Sequence, residues 1–246
     1  MQVLVRWVLL SVLALSLTAQ AQSGKSKQPT DLQAWSGTWA TSPDSLGGLM
    51  AACCIGKADN VPLTEAARQQ RNSFVNRQAA ERLVITNSAS CTPDGVPGTL
   101  SHPILFEILF TQGRATLIFE NGEVRRIWLD GRKHLPLDEL GDSFEGDSIG
   151  HWEGTTLVVD TIGMSPRADI FMANGIRATD QTHVVEKMRL KDKQTLQIDF
   201  TVTDSKIFTK PYEYTVLYQQ VPGTFEVGCQ TNNRDDGTKP VDLSPP

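Results

Sequence analysis

The sequence predicts a mainly β protein: an antiparallel up-and-down barrel, or a strongly curved sheet of lipocalin type, with one flanking helix on its N-terminal side. Three observations lead there. From Ile104 onward, apolar and polar residues alternate with period two in seven successive runs. The runs are punctuated by hairpin signals such as Gln112-Gly113 and Asn121-Gly122. No alternation of strands with helices and no internal repeat is visible, which argues against a parallel α/β fold.

The elements follow in order. Arg6, the apolar run Trp7 to Leu17 and Ala19-Gln20-Ala21 have the form of a cleaved Sec signal peptide, which places the mature N-terminus at Gln22. The apolar run is too short to span a bilayer. The expected location is therefore periplasmic or secreted, without membrane insertion. Residues 22–61 read as a loose N-terminal segment, within which Trp35-Ser-Gly-Thr-Trp39 has the pattern of a short first strand. Residues 62–240 read as a single barrel-like domain. It opens with one helix from Thr64 to Leu83, where Thr64 is the cap, Glu65 suits the first turn, and Ala67, Arg71 and Phe74 share a face. Strands are expected at 104–111, 114–120, 123–130, 155–162, 182–190, 195–203 and 212–220. Both Asn121-Gly122 and Gln112-Gly113 read as two-residue loops, the former with the signature of a type I′ turn.

Composition narrows the function classes. The chain of 246 residues carries 23 Lys and Arg against 28 Asp and Glu, a net charge of −5. Loss of Arg6 with the leader makes it −6. No basic block or aromatic-basic ladder occurs, so nucleic acid is a poor partner. An oligomeric state is not legible. Of the four cysteines, Cys53 and Cys54 are adjacent and awkwardly placed to bond each other. Cys91–Cys229 is the favoured disulfide, tying the front of the β region to its end in an exported protein. The roles of Cys53 and Cys54 stay open. The histidines, at 102, 134, 151 and 183, form no H-x-H or H-E-x-x-H pattern. No metal, phosphate or dinucleotide motif is present, and no cofactor is expected.

Gly146-Asp-Ser-Ile-Gly150 has the written form G-x-S-x-G of a hydrolase nucleophile elbow. Such an elbow needs a strand before the serine and a helix after it. Here a polar loop-like stretch precedes Ser148, and Trp152-Glu-Gly154 launches a strand at Thr155. The stretch reads as a loop leading into a hairpin.

Three blocks resemble a large group of exported bacterial proteins common in soil and aquatic species. They are Val124-Arg-Arg-Ile-Trp-Leu-Asp-Gly-Arg132, Ser148-Ile-Gly-His-Trp-Glu-Gly-Thr-Thr-Leu-Val-Val-Asp-Thr161 and His183-Val-Val-Glu-Lys187. That group reads roughly RRIYLDGR, SxGxWEGDTLVVDT and HVVER. Cys91-Thr-Pro-Asp-Gly-Val-Pro97 and Cys229 fit its pattern too. The resemblance covers most of residues 60 to 235. It implies an exported β-rich domain and no particular activity. The chain departs from it at Gly175-Ile-Arg-Ala-Thr179, where the group often carries G-x-P-H-S.

Two hairpin registers indicate which charges point inward. With Asn121-Gly122 as the whole loop, Phe119 faces Val124, Leu117 faces Arg126 and Ala115 faces Trp128. The apolar character of that face turns Arg126 inward and Arg125 outward. In the later hairpin, Leu196, Ile198, Phe200 and Val202 share a face with Val184, Glu186, Met188 and Leu190. Glu186 is then an acid on an apolar face, while His183 lies on the polar one. Charges so placed need a partner. Two readings stay open: a structural ion pair, or an interior site in which Arg126 binds an oxygen or anion and Glu186 is a general base.

His134, just beyond Arg132, is a further acid–base candidate at a barrel mouth. Candidate substrate contacts are Trp128, Asp130, Trp152, Asp160 and Tyr212. Asp130 also fits a turn former, Trp152 a core lid, Asp160 a strand-end cap, and Tyr212 with Tyr214 and Tyr218 core packing. His151 and Glu153 flank Trp152 in the launch turn. The functional expectation is an exported small-molecule enzyme, of lyase, isomerase or hydratase type, acting without cofactor on an apolar or aromatic substrate. Its alternatives are a non-catalytic periplasmic ligand-binding barrel and a structural domain with a filled core.

Overall fold

A computed structural model describes residues 31–45, 61–81, 87, 91–171 and 175–223. The leader, the proposed cleavage site, Cys53, Cys54 and Cys229 lie outside them. Nine strands form a closed barrel: β1 (Gly37–Thr41), β2 (Leu105–Thr111), β3 (Arg114–Phe119), β4 (Val124–Trp128), β5 (Asp147–Glu153), β6 (Thr156–Ile162), β7 (His183–Leu190), β8 (Thr195–Thr203) and β9 (Tyr212–Val221). Strands adjacent in sequence pair, and β9 returns to β1. The mainly β barrel expected from the alternation is the architecture observed. All pairings are antiparallel except β4 with β5, which run parallel over only Ile127↔Ser148 and Trp128↔Ile149. A long crossing, residues 129–146, makes that parallel step possible, and we call it the strap.

One strand, β5, was not expected, and the first strand, read at Trp35–Trp39, lies at Gly37–Thr41 and takes a larger part than expected. β1 pairs with both β2 and β9, so it closes the cylinder and brings into the barrel residues that the boundary at 62 left outside. β5 occupies the stretch read as loop and launch turn. Its alternation was masked because its inward positions, Ser148 and Gly150, are not apolar. Only Trp152 on that face carries a large apolar side chain.

The β3–β4 register corrects the inward placement of Arg126. Gly122 N–H donates to the Phe119 carbonyl, and Phe119 N–H to that of Glu123. The loop is thus Glu120-Asn121-Gly122, a turn completed by Gly122 at φ +85°. Three residues rather than two shift the pairing by one, and a shift of one sends every side chain to the opposite face. Leu117 consequently pairs with Arg125, and Thr116 with Arg126. Arg125 and Ile127 point inward, while Val124, Arg126 and Trp128 point outward. The β7–β8 register is as the pattern predicts, with Glu186 opposite Phe200 on the buried face.

The interior is filled from three directions. The walls contribute Trp39, Phe106, Leu117, Phe200 and Tyr218, among others. Residues 94–104 fold across one end as a plug, burying Val96, Leu100 and Ile104. The plug is held by polar contacts: the Tyr218 hydroxyl donates to the Leu100 carbonyl, Thr41 to that of His102, and Ser101 Oγ lies 3.1 Å from the Tyr214 hydroxyl. At the other side of the core, Trp152 packs edge-on against Trp35 and beside Phe110. The expected helix is α1 (Glu65–Glu81), capped by Thr64 Oγ1 on the Ala67 N–H. Ala67 and Arg71 form its buried stripe, and Phe74 meets Gly175. No helix among the described residues is long and apolar enough to cross a membrane.

Candidate functional site

Two polar constellations stand out, one inside the barrel and one on its wall. The inner one centres on Arg125, which is fully buried, as is Glu186. Its guanidinium forks onto the Glu186 carboxylate, with Nη1 to Oε1 at 2.8 Å and Nη2 to Oε2. Nε donates to Ser148 Oγ at 3.2 Å, and Nη2 also to Thr161 Oγ1 at 2.9 Å. Burial opposes the guanidinium charge, but Glu186 outweighs it and holds the pKa above the ordinary value. Such a pair is bidentate, charge-assisted and sealed from solvent. Its chemistry is that of a structural ion pair spanning four strands. Ser148, buried and bonded to Arg125 and Thr161, has no histidine against it. The G-x-S-x-G stretch is thus a packing device. A Cβ at Gly150 would lie 2.9 Å from a Leu129 methyl and 3.1 Å from Ile127.

Beside this pair lie acids that the sequence reading did not single out. Both carboxyl oxygens of Glu145 are buried and, among the described residues, meet no N–H donor. Burial pushes that carboxyl up to about 8, against the pull of Arg125 and with Glu123 adding to the rise. Glu123 accepts from Asp94 N–H, Thr99 Oγ1 and Asn121 Nδ2. The His102 ring is 3.4 Å from Asp94, and burial pushes it down to about 4 although Glu123 acts the other way. Without an alignment of inward positions along the strap and plug, a sequence offers no signal for this grouping.

The outer constellation joins three strands and the strap. His134 folds back from the strap onto the wall, with Nδ1 2.8 Å from Asp147 on β5 and Nε2 2.9 Å from Asp160 on β6. His183 on β7 brings its Nε2 to 2.8 Å from the same Asp160 oxygen. Asp160 and His183 come together because they occupy outward positions of paired strands, where Asp160 is opposite Val185. His134 is 19 % exposed, against 41 % for Asp160 and 40 % for His183. Among the described residues no group of histidine, cysteine and acids has the arrangement to hold a metal ion.

The remaining sequence candidates separate. Trp128 lies outside, with the Arg132 guanidinium 3.9 Å from its ring centroid and Arg114 at 5.7 Å. Asp130 is exposed and occupied by a bidentate bond from Arg132. Among the described residues His151 pairs with Glu153, both on the exposed surface. Tyr212 joins Phe171, Phe208 and Tyr214 in an aromatic cluster, and Tyr214 and Tyr218 share its inward face. Cys91, the described cysteine, is not a free thiol.

Near the outer constellation is an open groove of about 680 Å³. Leu137 and Leu140 of the strap form one side, and Met164, Pro166 and Ala178 form much of the other. Leu137 is three residues beyond His134, and Asp180, also on its lining, is three residues before His183. Either link spans at most about 10 Å of chain. The volume falls in the range of small-molecule sites.

Fold and site together define a closed β-barrel with a packed interior and a histidine–aspartate constellation on its outer wall, beside an apolar groove. No protein-family model matches the chain, and no curated protein matches it.

Proposed function

We propose that the protein is an exported small-molecule enzyme that works without a cofactor, and that its chemistry is placed on the outer wall rather than inside the barrel. One observation carries this reading: an apolar groove of about 680 Å³ has on its lining Asp180, three residues before His183, an imidazole that a carboxylate holds by one ring nitrogen. The groove suits the body of an apolar or aromatic substrate. The second ring nitrogen of His183 is then the acid–base group, with Asp160 setting ring orientation. Proton removal or return at carbon fits lyase, isomerase and hydratase steps, which need no protein nucleophile. The Sec-type leader expected at 1–21 supports export, as does the Cys91–Cys229 disulfide that we propose. The blocks around Arg125, Trp152 and Val184 support membership in the exported bacterial group that they resemble.

A neutral fluorescent probe, N-phenyl-1-naphthylamine, tests the groove, and Leu137→Arg is the control because Leu137 is 52 % exposed. Saturable binding that Leu137→Arg abolishes is expected. Catalysis is tested by solvent-deuterium exchange into a panel of aryl ketones, followed by NMR in the parent and in His183→Gln. Exchange lost in His183→Gln supports the enzyme. Probe binding without exchange in any panel member favours the ligand-binding barrel. No saturable binding defeats both.

A further inference from the structure

Both imidazoles of the outer wall lie on one oxygen of Asp160: His183 Nε2 is 2.8 Å from Oδ1, and His134 Nε2 is 2.9 Å from it. An ionised carboxylate only accepts, so the hydrogen of the His183 contact is carried by Nε2. In the neutral ring the other nitrogen, Nδ1, is then an acceptor. Among the described residues no donor meets Nδ1 of His183, and none meets Oδ2 of Asp160. The two side chains are 40 % and 41 % exposed, so these acceptors belong to a half-open wall. Three chain links tie that wall to the groove. His134 is three residues from Leu137, Asp160 three from Gly163, and His183 three from Asp180, and all three partners are on the groove's lining. Each link spans at most about 10 Å. The carboxylates on the lining, Asp142 and Asp180, are already met by Arg167 and Lys206, so these two cations are spent.

We propose that the site takes a neutral aromatic molecule bearing a hydroxyl or N–H group, with that donor on His183 Nδ1 and the ring body in the groove, and that it rejects aromatic carboxylates. The proposal rests on the groove and His183 forming one site. A hydroxyl aimed at Nδ1 fills the open hydrogen-bonding position of an imidazole whose other nitrogen is fixed. A ligand carboxylate there sets acceptor against acceptor, with the Asp160 charge beside it, and facing acceptors left unpaired cost free energy. An ether of the same shape fills the groove and leaves Nδ1 to water. Apolar burial alone places the ether first, since it carries an extra methyl group. The His183 acceptor reverses that order: hydroxyl, then ether, then carboxylate.

The test is displacement of N-phenyl-1-naphthylamine from the full protein by 2-naphthol, 2-methoxynaphthalene and 2-naphthoate, each corrected for the probe's own affinity in the protein used. It is made at about pH 8, the upper end of the span where histidine residues change charge, and there a phenolic hydroxyl, titrating near about 10, keeps its proton. 2-Naphthol should bind roughly three- to ten-fold more tightly than 2-methoxynaphthalene, the effect of one hydrogen bond, and 2-naphthoate more weakly than either. In His183→Phe the naphthol should lose its lead. Nitrogen-15 NMR of the parent's histidine rings reads the same point without a substitution. His183 should carry hydrogen on Nε2 and none on Nδ1, and the Nδ1 resonance should move when 2-naphthol is added. An ether that binds as tightly as the naphthol, a naphthoate that outranks the ether, a naphthol lead that survives His183→Phe, or a hydrogen on Nδ1 at about pH 8 overturns the donor site and leaves the groove standing. No saturable probe binding, or no displacement by any of the three compounds, overturns the groove itself, and the donor site with it.

Discussion

The Arg125 guanidinium on β4 reaches past β5 and β6 to the Glu186 carboxylate on β7, bonding Ser148 and Thr161 on the way. Because β4 and β5 share only two residue pairs, this side chain joins strands that the sheet itself joins weakly.

Replacing Glu186 by Gln leaves Arg125 buried without its counter-charge. A loss of roughly 3–5 kcal/mol is expected. The double change Arg125→Met with Glu186→Leu should cost clearly less than the sum of the single changes, since no charge is left behind. Urea denaturation of the four proteins measures it. Strict additivity would contradict the pairing.

Arg126, one residue on, gives the opposite forecast. Its side chain is on the outer face, so Arg126→Ala should change stability by no more than about 0.5 kcal/mol. A loss comparable to that of Glu186→Gln would restore the two-residue loop and refute the register.

Gly122 is the residue that makes the loop three residues long. Its φ is +85°, and nothing lies within 4 Å of where a Cβ would stand. Gly122→Ala should thus cost about 1 kcal/mol from backbone conformation alone, and Gly122→Asn less. Equal costs for Ala and Asn would point to a steric cause instead.

The buried ionisable groups make stability depend on pH in two opposed ways. Glu145 has its pKa raised to about 8 by burial, and an unfolded glutamate titrates near 4.3. Between those values the native state keeps a proton that the unfolded chain has released, so stability falls as pH rises from about 4.5 to about 8. His102 is lowered to about 4 by burial, so its contribution is lost as pH falls from about 6.5 to about 4. In Glu145→Gln the first dependence disappears. The stability gap in favour of the variant should widen steadily between about pH 5 and about pH 8. A gap constant over that range would mean that Glu145 does not titrate there.

The barrel was legible because period-two alternation survives wherever the inward residues are apolar, as in β7 and β8, whose pairing is the one read from the pattern. It failed at β5, where Ser148 and Gly150 face inward for reasons lying on other strands. Ser148 serves Arg125, and Gly150 makes room for Ile127 and Leu129. The inward charge was found on the correct strand and at the wrong residue, because Asn121-Gly122 suits a two-residue and a three-residue loop equally well. His134 and Asp160 were individually visible as polar residues near strand ends. Their meeting depends on how an irregular strap folds back, and no local pattern encodes that.

The two-pair parallel junction also decides how the cylinder would breathe. Elsewhere every strand is zipped to its neighbours by longer antiparallel ladders, so transient opening should concentrate between β4 and β5, with amide exchange fastest along that line. Opening there would bare two strand edges, each able to template pairing with a second molecule. Arg126 on one strand and Asp147 on the other project outward at that line. Pairing of either edge with its own copy would bring like charges together, whereas β4 of one molecule with β5 of another would not.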